Sequence, residues 1–439
     1  MSNVAPGCAR IAATILAGLC VAAPCVAEPL TLAECTKLAL SHNLEAEQAR
    51  GDLQAAQAGV LGAQSAFLPH VSASGDWSRS SSKIVSVDAG LRNFDDRLWR
   101  FRAGASLTLF DGFANWYGYR EATGARTAAG DRYLKARQDV VSETERRFFE
   151  VRRQDALLEV QKKAVELAQE QLKKTTAMKD LGAATQADVY KAQVAQSNSQ
   201  VTELRTERDL QVAQSSLSSY LGKDPREELS LAPEEPTLEQ TPDLAAAMDQ
   251  ALKVNPSLTA ARASLQASES GLRVAKAARM PSLSLSGARS YQNGQFDGLF
   301  DDVNGTSTVA LSMDFTVFDG LLTKSQIHRA EADLLKAQRA AESAERDVVL
   351  AVRTAWLDLE IARRQIDVAQ EGVRSSEEDQ RLAEERYRLG EGTILDVIDA
   401  QVNLTRSRTD LENARFDARL ALSALKSAVG DLAVPGTGQ

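Results

Sequence analysis

Two aspartates near the C-terminus, Asp396 and Asp399, stand three residues apart, a spacing that puts both side chains on one helix face. Carboxylates so arranged attract cations, and repeated around an axis they could bind a multivalent ion. Ordinary solvated helix surface is the alternative use of the same residues. Nothing for bond-making chemistry accompanies them. The chain has no phosphate-binding glycine loop, no nucleophile elbow and no paired catalytic carboxylates with a partner. The three histidines, His42, His70 and His328, are far apart and lack ligand spacing, so no metal site is expected from them. An enzyme is not expected, and no cofactor is implied. The 51 Lys+Arg against 60 Asp+Glu give a net charge of −9, which argues against nucleic acid as a partner.

The elements that would carry such residues begin behind a leader. Residues 1–27 carry one charge, Arg10, and an apolar stretch ending in Cys25, Val26 and Ala27. This reads as a secretory signal cut after Ala27, and removing Arg10 takes the net charge to −10. Cys8, Cys20 and Cys25 leave with it, so the exported chain keeps Cys35 and has no internal disulfide. Cys20 follows Leu19 and Cys25 follows Pro24, where lipid attachment wants a small residue, which disfavours a lipoprotein. Beyond the leader no apolar run approaches the roughly 20 residues of a membrane helix.

The remainder is written twice. Asn43 matches Asn255, Arg50 matches Arg262, Pro69 matches Pro281 and Gly75 matches Gly287, all 212 residues apart. Phe110, Asp111 and Gly112 match Phe318, Asp319 and Gly320 at 208 residues, and so do Leu181 and Gly182 with Leu389 and Gly390, and Asp188 with Asp396. The change between the two offsets marks a loop between Gly75 and Phe110. The expected organisation is a signal at 1–27, a first repeat at 28–222, a Pro-rich connection at 223–242, a second repeat at 243–432 and a tail at 433–439. Each repeat should start with one helix of about 35 residues, near Leu32 to Phe67 and Asp243 to Arg279. Extended segments follow, then a very long helix broken at Leu-Gly, and a last helix ending at Gly222 or Gly430. In the second repeat Ile327, Ala330, Leu334, Ala337, Ala341, Ala344, Val348, Ala351, Ala355, Leu359, Ala362, Ile366, Ala369 and Val373 step by three or four, a coiled-coil seam. From Leu321 to Arg388 it would run about 100 Å. A soluble structural coiled coil fits this segment equally well.

Residues 101–109 alternate, with Phe101, Ala103, Ala105, Leu107 and Leu109 on one face. Their mates Val309, Leu311, Met313, Phe315 and Val317 repeat the pattern, and shorter alternations follow Pro69 and Pro281. Four strands of about ten residues suit a bilayer, although a two-faced soluble sheet fits them as well. Four strands cannot close a barrel, so in a membrane several chains must share one, and three chains would supply twelve strands. The polar stretches 80–96 and 291–304 are expected as external loops.

The leader, the doubled half, two strands per half, the Phe-Asp-Gly triplets at Phe110–Gly112 and Phe318–Gly320, and YRLGEGTILDVIDAQ at 387–401 together resemble the TolC-like outer-membrane efflux protein family. The resemblance spans essentially the whole chain after the leader. It implies a mainly α fold with a transmembrane β-barrel portion: a homotrimer whose twelve-stranded barrel sits among outer-membrane lipids and continues as a coiled-coil helical tunnel across the periplasm. The implied role is a passive exit duct for an inner-membrane pump or ABC transporter of type I secretion, docked by a periplasmic adaptor. The unlipidated start and the ending near Ser423 to Leu432 look closer to the TolC type than to the lipidated drug-efflux branch. The triplets fall at the barrel-to-helix junctions. Leu181, Gly182, Leu389 and Gly390 fall at tips where an adaptor hairpin would dock. The family's aspartate ring falls on Asp396 and Asp399, and its gate-linking Tyr and Asp fall on Tyr387 and Asp188. Its gating Arg falls on Gly392, a departure that weakens the expected set of links. The competing reading is a periplasmic coiled-coil adaptor or structural protein without a pore, but that would have one hairpin inside β-rich flanks rather than two equivalent hairpins.

Overall fold

The computed structural model describes residues 29–86, 90–226, 229–232 and 241–432. The expected leader, the C-terminal tail and Pro233 and Pro236 of the connection lie outside the described residues. The first repeat contains α1 (Leu32–His42), α2 (Leu44–Ser65), β1 (His70–Ser86), β2 (Gly90–Phe110), α3 (Ala114–Asp180) and α4 (Gln186–Tyr220). The second contains α5 (Leu244–Val254), α6 (Pro256–Ala277), β3 (Ser282–Asn293), β4 (Gly305–Asp314), α7 (Leu322–Leu389) and α8 (Ile394–Val429). At 67 and 68 residues, α3 and α7 each run about 100 Å.

The single 35-residue helix expected at the head of each repeat is instead two helices meeting at an asparagine. The Asn43 N–H closes α1 by donating to the Ala39 carbonyl (2.9 Å), while its Oδ1 opens α2 by accepting from the N–H groups of Glu45 (2.8 Å) and Ala46 (3.3 Å). Asn255 repeats the arrangement, donating to Ala251 and accepting from Ser257 and Leu258. One extended residue that caps both ways costs no unsatisfied backbone group, so the chain can turn there. Pro256 directly after Asn255 carried the signal.

The break swings α1 and α5 across the long helices and builds one core per repeat. Cys35 and Ala39 pack with Val140, Phe148, Phe149, Leu217 and Leu221. Ala247 and Ala251 pack with Val348, Val352, Leu425 and Val429, and all of these except Val352, which matches Thr144, repeat positions of the first core 212 or 208 residues on. Within the expected seam Val352 is buried and Ala351 is exposed, because the helix meets α5 there and the larger side chain takes the inner place.

The four strands form one antiparallel sheet in the order β1-β2-β3-β4. Two expectations about its extent fail. Residues 80–86 and 90–96, expected as loop, continue the β1–β2 ribbon as far as the Ser86–Gly90 pair. Ladder hydrogen bonds belong to the backbone, so a polar sequence can sustain them. Conversely β4 stops at Asp314, leaving Phe315 and Val317 beyond it. Pairing places Trp77, Trp99, Phe101, Leu107, Leu285, Leu311 and Met313 on one face and Ser, Thr, Asp and Arg residues on the other. The apolar face is uncovered, with Leu311 64% and Met313 69% exposed. Phe296 and Phe300 of the β3–β4 connection fold onto its far end, packing edge-on to Trp99 (5.1 Å) and Phe101 (5.3 Å). No helix among the described residues is long and apolar enough to cross a membrane.

Candidate functional site at the helical tips

Each long helix ends in the same three-part turn. In the first, Gly182 (φ +81°) donates to the Lys179 carbonyl (2.9 Å) and Ala183 to that of Met178 (2.8 Å). In the second, Gly390 (φ +77°) donates to Tyr387 (3.1 Å) and Glu391 to Arg386 (2.9 Å). This is the Schellman closure, which needs a left-handed residue and so selects glycine. The closure projects Leu181 and Leu389 into solvent at 86% and 63% exposure. The return helices then start on reciprocal capping boxes. Thr185 donates through N–H and hydroxyl to Asp188 Oδ2 (3.0 and 2.7 Å) and accepts from the Asp188 N–H (3.2 Å). Thr393 and Asp396 repeat this at 2.7, 2.8 and 3.3 Å.

The expected acidic residues therefore differ in their commitments. One oxygen of Asp396 is tied to Thr393, which holds the carboxyl below the ordinary aspartate range, first through the Thr393 N–H, then its hydroxyl, with a smaller contribution from the Arg386 charge. Asp188 is lowered likewise, by the Thr185 hydroxyl and then its N–H. Because both are depressed in the folded chain, their contribution is complete above the unfolded value of 3.8 and is lost only as pH falls through the folded one. Asp399, one turn further along α8, is exposed.

Tyr387 of the second hairpin lies near enough to Asp188 of the first to feel its charge. The Tyr387 hydroxyl is buried, makes no hydrogen bond of standard geometry, and lies against Thr175 of α3 within reach of the Asp188 charge. Burial is the main cause that pushes its pKa up, and Asp188 adds to it. Lys174 and Glu384 bridge the hairpins nearby at 3.6 Å. Sequence reading missed Thr175, Lys174, Glu384 and Arg386. The Thr-x-x-Asp spacing of the caps was there to be found, whereas the cross-hairpin partners have no local signal. Gly392 lies against the last turn of α7. A Cβ there would sit 3.2 Å from the Arg386 Cβ and 3.3 Å from the Tyr387 nitrogen, so a long side chain would need that turn to shift.

The junction triplets lie at the opposite end of α3 and α7, beside the sheet. Asp111 Oδ2 accepts from the Asn115 N–H (2.8 Å), and Asp319 Oδ2 from the Thr323 N–H (2.7 Å), so each aspartate satisfies a helix N-terminus. Gly112 and Gly320 turn the chain at φ +69° and +67°, and Phe113 and Leu321 follow in the same left-handed region at +69° and +72°. Phe110 packs edge-on to Phe113 (5.5 Å), and Phe318 is exposed. His42 lies under Gly222, His70 opens β1, and His328 faces Glu331 (3.1 Å), so the structure does not gather the three histidines.

The family model described as outer membrane efflux protein matches this chain twice, over residues 36–223 and 247–431. Outer membrane protein TolC of Escherichia coli strain K12 is 25% identical over 403 residues, spanning 89% of this chain and 80% of that protein. Among solved structures, the outer membrane protein VceC of Vibrio cholerae superposes with a TM-score of 0.80 at 20% identity, covering 91% of this chain and 96% of that one. The CmeC outer membrane channel of Campylobacter jejuni gives 0.81 at 18% identity, covering 93% and 87%. At these identities the two solved structures speak to the fold.

Proposed function

Because the chain belongs to the outer membrane efflux protein family, we propose that it is a passive, trimeric exit duct of an efflux pump or type I secretion system. Its strands would sit in the outer membrane and its helices in the periplasm. The observation that carries this reading is the sheet: four strands, apolar on one face and polar on the other, with β1 and β4 both left open at an edge. An open edge is not tolerated in lipid, and three copies would close a twelve-stranded cylinder with the polar face inward. The leader at residues 1–27 supports export to that membrane. The aromatic cluster at the far end of the apolar face suits a membrane interface.

In this reading the helical tips form the periplasmic entrance. Asp396 and Asp399 line it as a ring of acids, Tyr387 and Asp188 take part in holding it, and Leu181, Gly182, Leu389 and Gly390 receive a periplasmic adaptor that links the duct to an inner-membrane transporter. The direct test is reconstitution. The purified chain should fractionate with outer membranes, run as a heat-sensitive trimer and conduct ions across a planar bilayer. A protein that stays monomeric in buffer without detergent would defeat the proposal.

The docking role has its own expected outcome. Replacing Leu181 and Leu389 together with serine removes two exposed apolar contacts at the tips. Covering such a side chain is worth about 1.5–3 kcal/mol. Adaptor capture in cross-linked cells should therefore fall at least tenfold while bilayer conductance keeps its wild-type value. Unchanged capture would move the docking surface away from the tips.

A further inference from the structure

The polar face of the sheet is uncharged over most of its height. Gly104, Ser106 and Thr108 of β2 stand beside Ala288, Ser286 and Ser284 of β3, and β4 adds only small neutral residues there. Beyond this band, toward the β1–β2 turn, two arginines follow in succession on the same face. Arg102 pairs with Ser74 on one side and Ser290 on the other, and Arg100 pairs with Asp76 and Gln292. Arg100 Nη1 reaches Asp76 Oδ2 at 3.5 Å, with both side chains about half exposed. Arg102 is exposed and has no acidic partner among the described residues.

The other acids that this face carries among the described residues are remote. Asp96 lies six residues from Arg102 on β2, about 20 Å along the strand and about 15 Å in height at a tilt of about 40°. Asp314 pairs with Ser282, eight residues from Ser290, which is about 20 Å of height in the opposite direction. Both separations exceed the Debye length of about 8 Å at physiological salt. Locally the face therefore holds Asp76, Arg100 and Arg102. Asp76 and Arg100 offset one another, and the Arg102 charge is left over.

We propose that Arg102 is an anion-selecting residue of the barrel, its three copies forming a basic ring on the lumen wall, opposite in sign to Asp396 and Asp399 at the tips. This rests on the trimeric duct reading and deepens it by naming the solutes that the barrel lumen favours: small anions and the anionic groups of cargo. Twelve strands about 4.8 Å apart at that tilt make a wall roughly 12 Å from the axis. An arginine side chain carries its charge inward from that wall. A solute on the axis then passes within about one Debye length of all three guanidinium groups. A ring of like charge at such range biases which ions pass. The neutral band of small side chains beside it supplies no counter-charge.

Ion selectivity of the reconstituted chain tests the ring, read as the reversal potential between about 0.01 and about 0.1 M KCl, where the Debye length is about 30 to 10 Å. Arg102→Gln should raise the potassium-to-chloride permeability ratio roughly threefold or more. Arg102→Lys should keep the wild-type ratio. Asp76→Asn, which frees the Arg100 charge, should move the ratio toward chloride. Both shifts should fade above about 1 M salt, where the Debye length is about 3 Å. A purely structural role for Arg102 would lower conductance or trimer yield without this sign and salt dependence. A duct that conducts but keeps its ratio in Arg102→Gln, or shifts toward chloride, overturns the ring and leaves the duct reading intact. A wild-type chain that never conducts overturns both.

Discussion

Replacing Asp396 and Asp399 together with asparagine should abolish block of the proposed duct by trivalent cations and lower its cation preference. In a trimer the pair supplies six carboxylates around one axis. Two unit charges 4 Å apart interact by about 4 kcal/mol at an effective dielectric of 20, so several carboxylates acting on one trivalent ion amount to a site. Loss of all six should weaken block by more than a hundredfold, read as the shift in blocking concentration of hexamminecobalt in a planar bilayer. Asparagine is the informative replacement at Asp396, because its side-chain oxygen can still accept from the Thr393 N–H and keep the helix start capped. The single Asp399→Asn variant, which leaves the cap untouched, should already lose a large share. The low-lying Asp396 carboxyl keeps its charge through the ordinary carboxylate range, so mild acid should leave much of the block in place. Block that survives the double replacement removes both residues from the conducting path.

Gly112→Ala should be far more damaging than Gly320→Ala to the folded protomer, although the two glycines occupy matched positions with nearly the same φ. Both substitutions carry the left-handed cost of a side chain, about 1–2 kcal/mol. Only at Gly112 does the new Cβ meet protein within the protomer, 2.5 Å from the Met280 Cβ and 2.9 Å from the Ala277 carbonyl. Overpacking of that kind adds about 1–3 kcal/mol. Gly112→Ala should cut the yield of trimer at least tenfold and speed hydrogen exchange at the α6 C-terminus. Gly320→Ala should leave α6 exchange at the wild-type rate and weaken only the assembled state. A wild-type yield from Gly112→Ala would mean that the β2-to-α3 turn does not pack on α6.

Much of this architecture could be read from short-range pattern. The seam from Ile327 to Val373 locates α7, the period of two locates the strands, and the offset of 208 residues pairs the tips. Thr185 with Asp188 and Thr393 with Asp396 carry the spacing of caps, a local signal that the reading of these aspartates as gate and ring residues passes over. Where a helix pattern could be continued through an asparagine, as at Asn43 and Asn255, periodicity ran on and the structure did not, because the side chain competes locally for backbone donors. At residues 80–86 and 90–96 the departure runs the other way, with paired strands where a loop is expected. Gly90, Asp95 and Asp96 give the stretch the composition of a loop, yet its pairing depends on backbone groups that every sequence supplies.

Residue order, through period, turn chemistry and internal duplication, was enough to establish two repeats, their long helices, their strands and the composition of each tip. It could not reveal that Tyr387 rests on Thr175 near Asp188, that Gly392 lies against Arg386, or that α3 packs against α6 and α8 of the other repeat. Those relations join residues tens to hundreds of positions apart. They depend on how the helices pack side by side, and close packing between distant segments leaves no repeating mark along the chain.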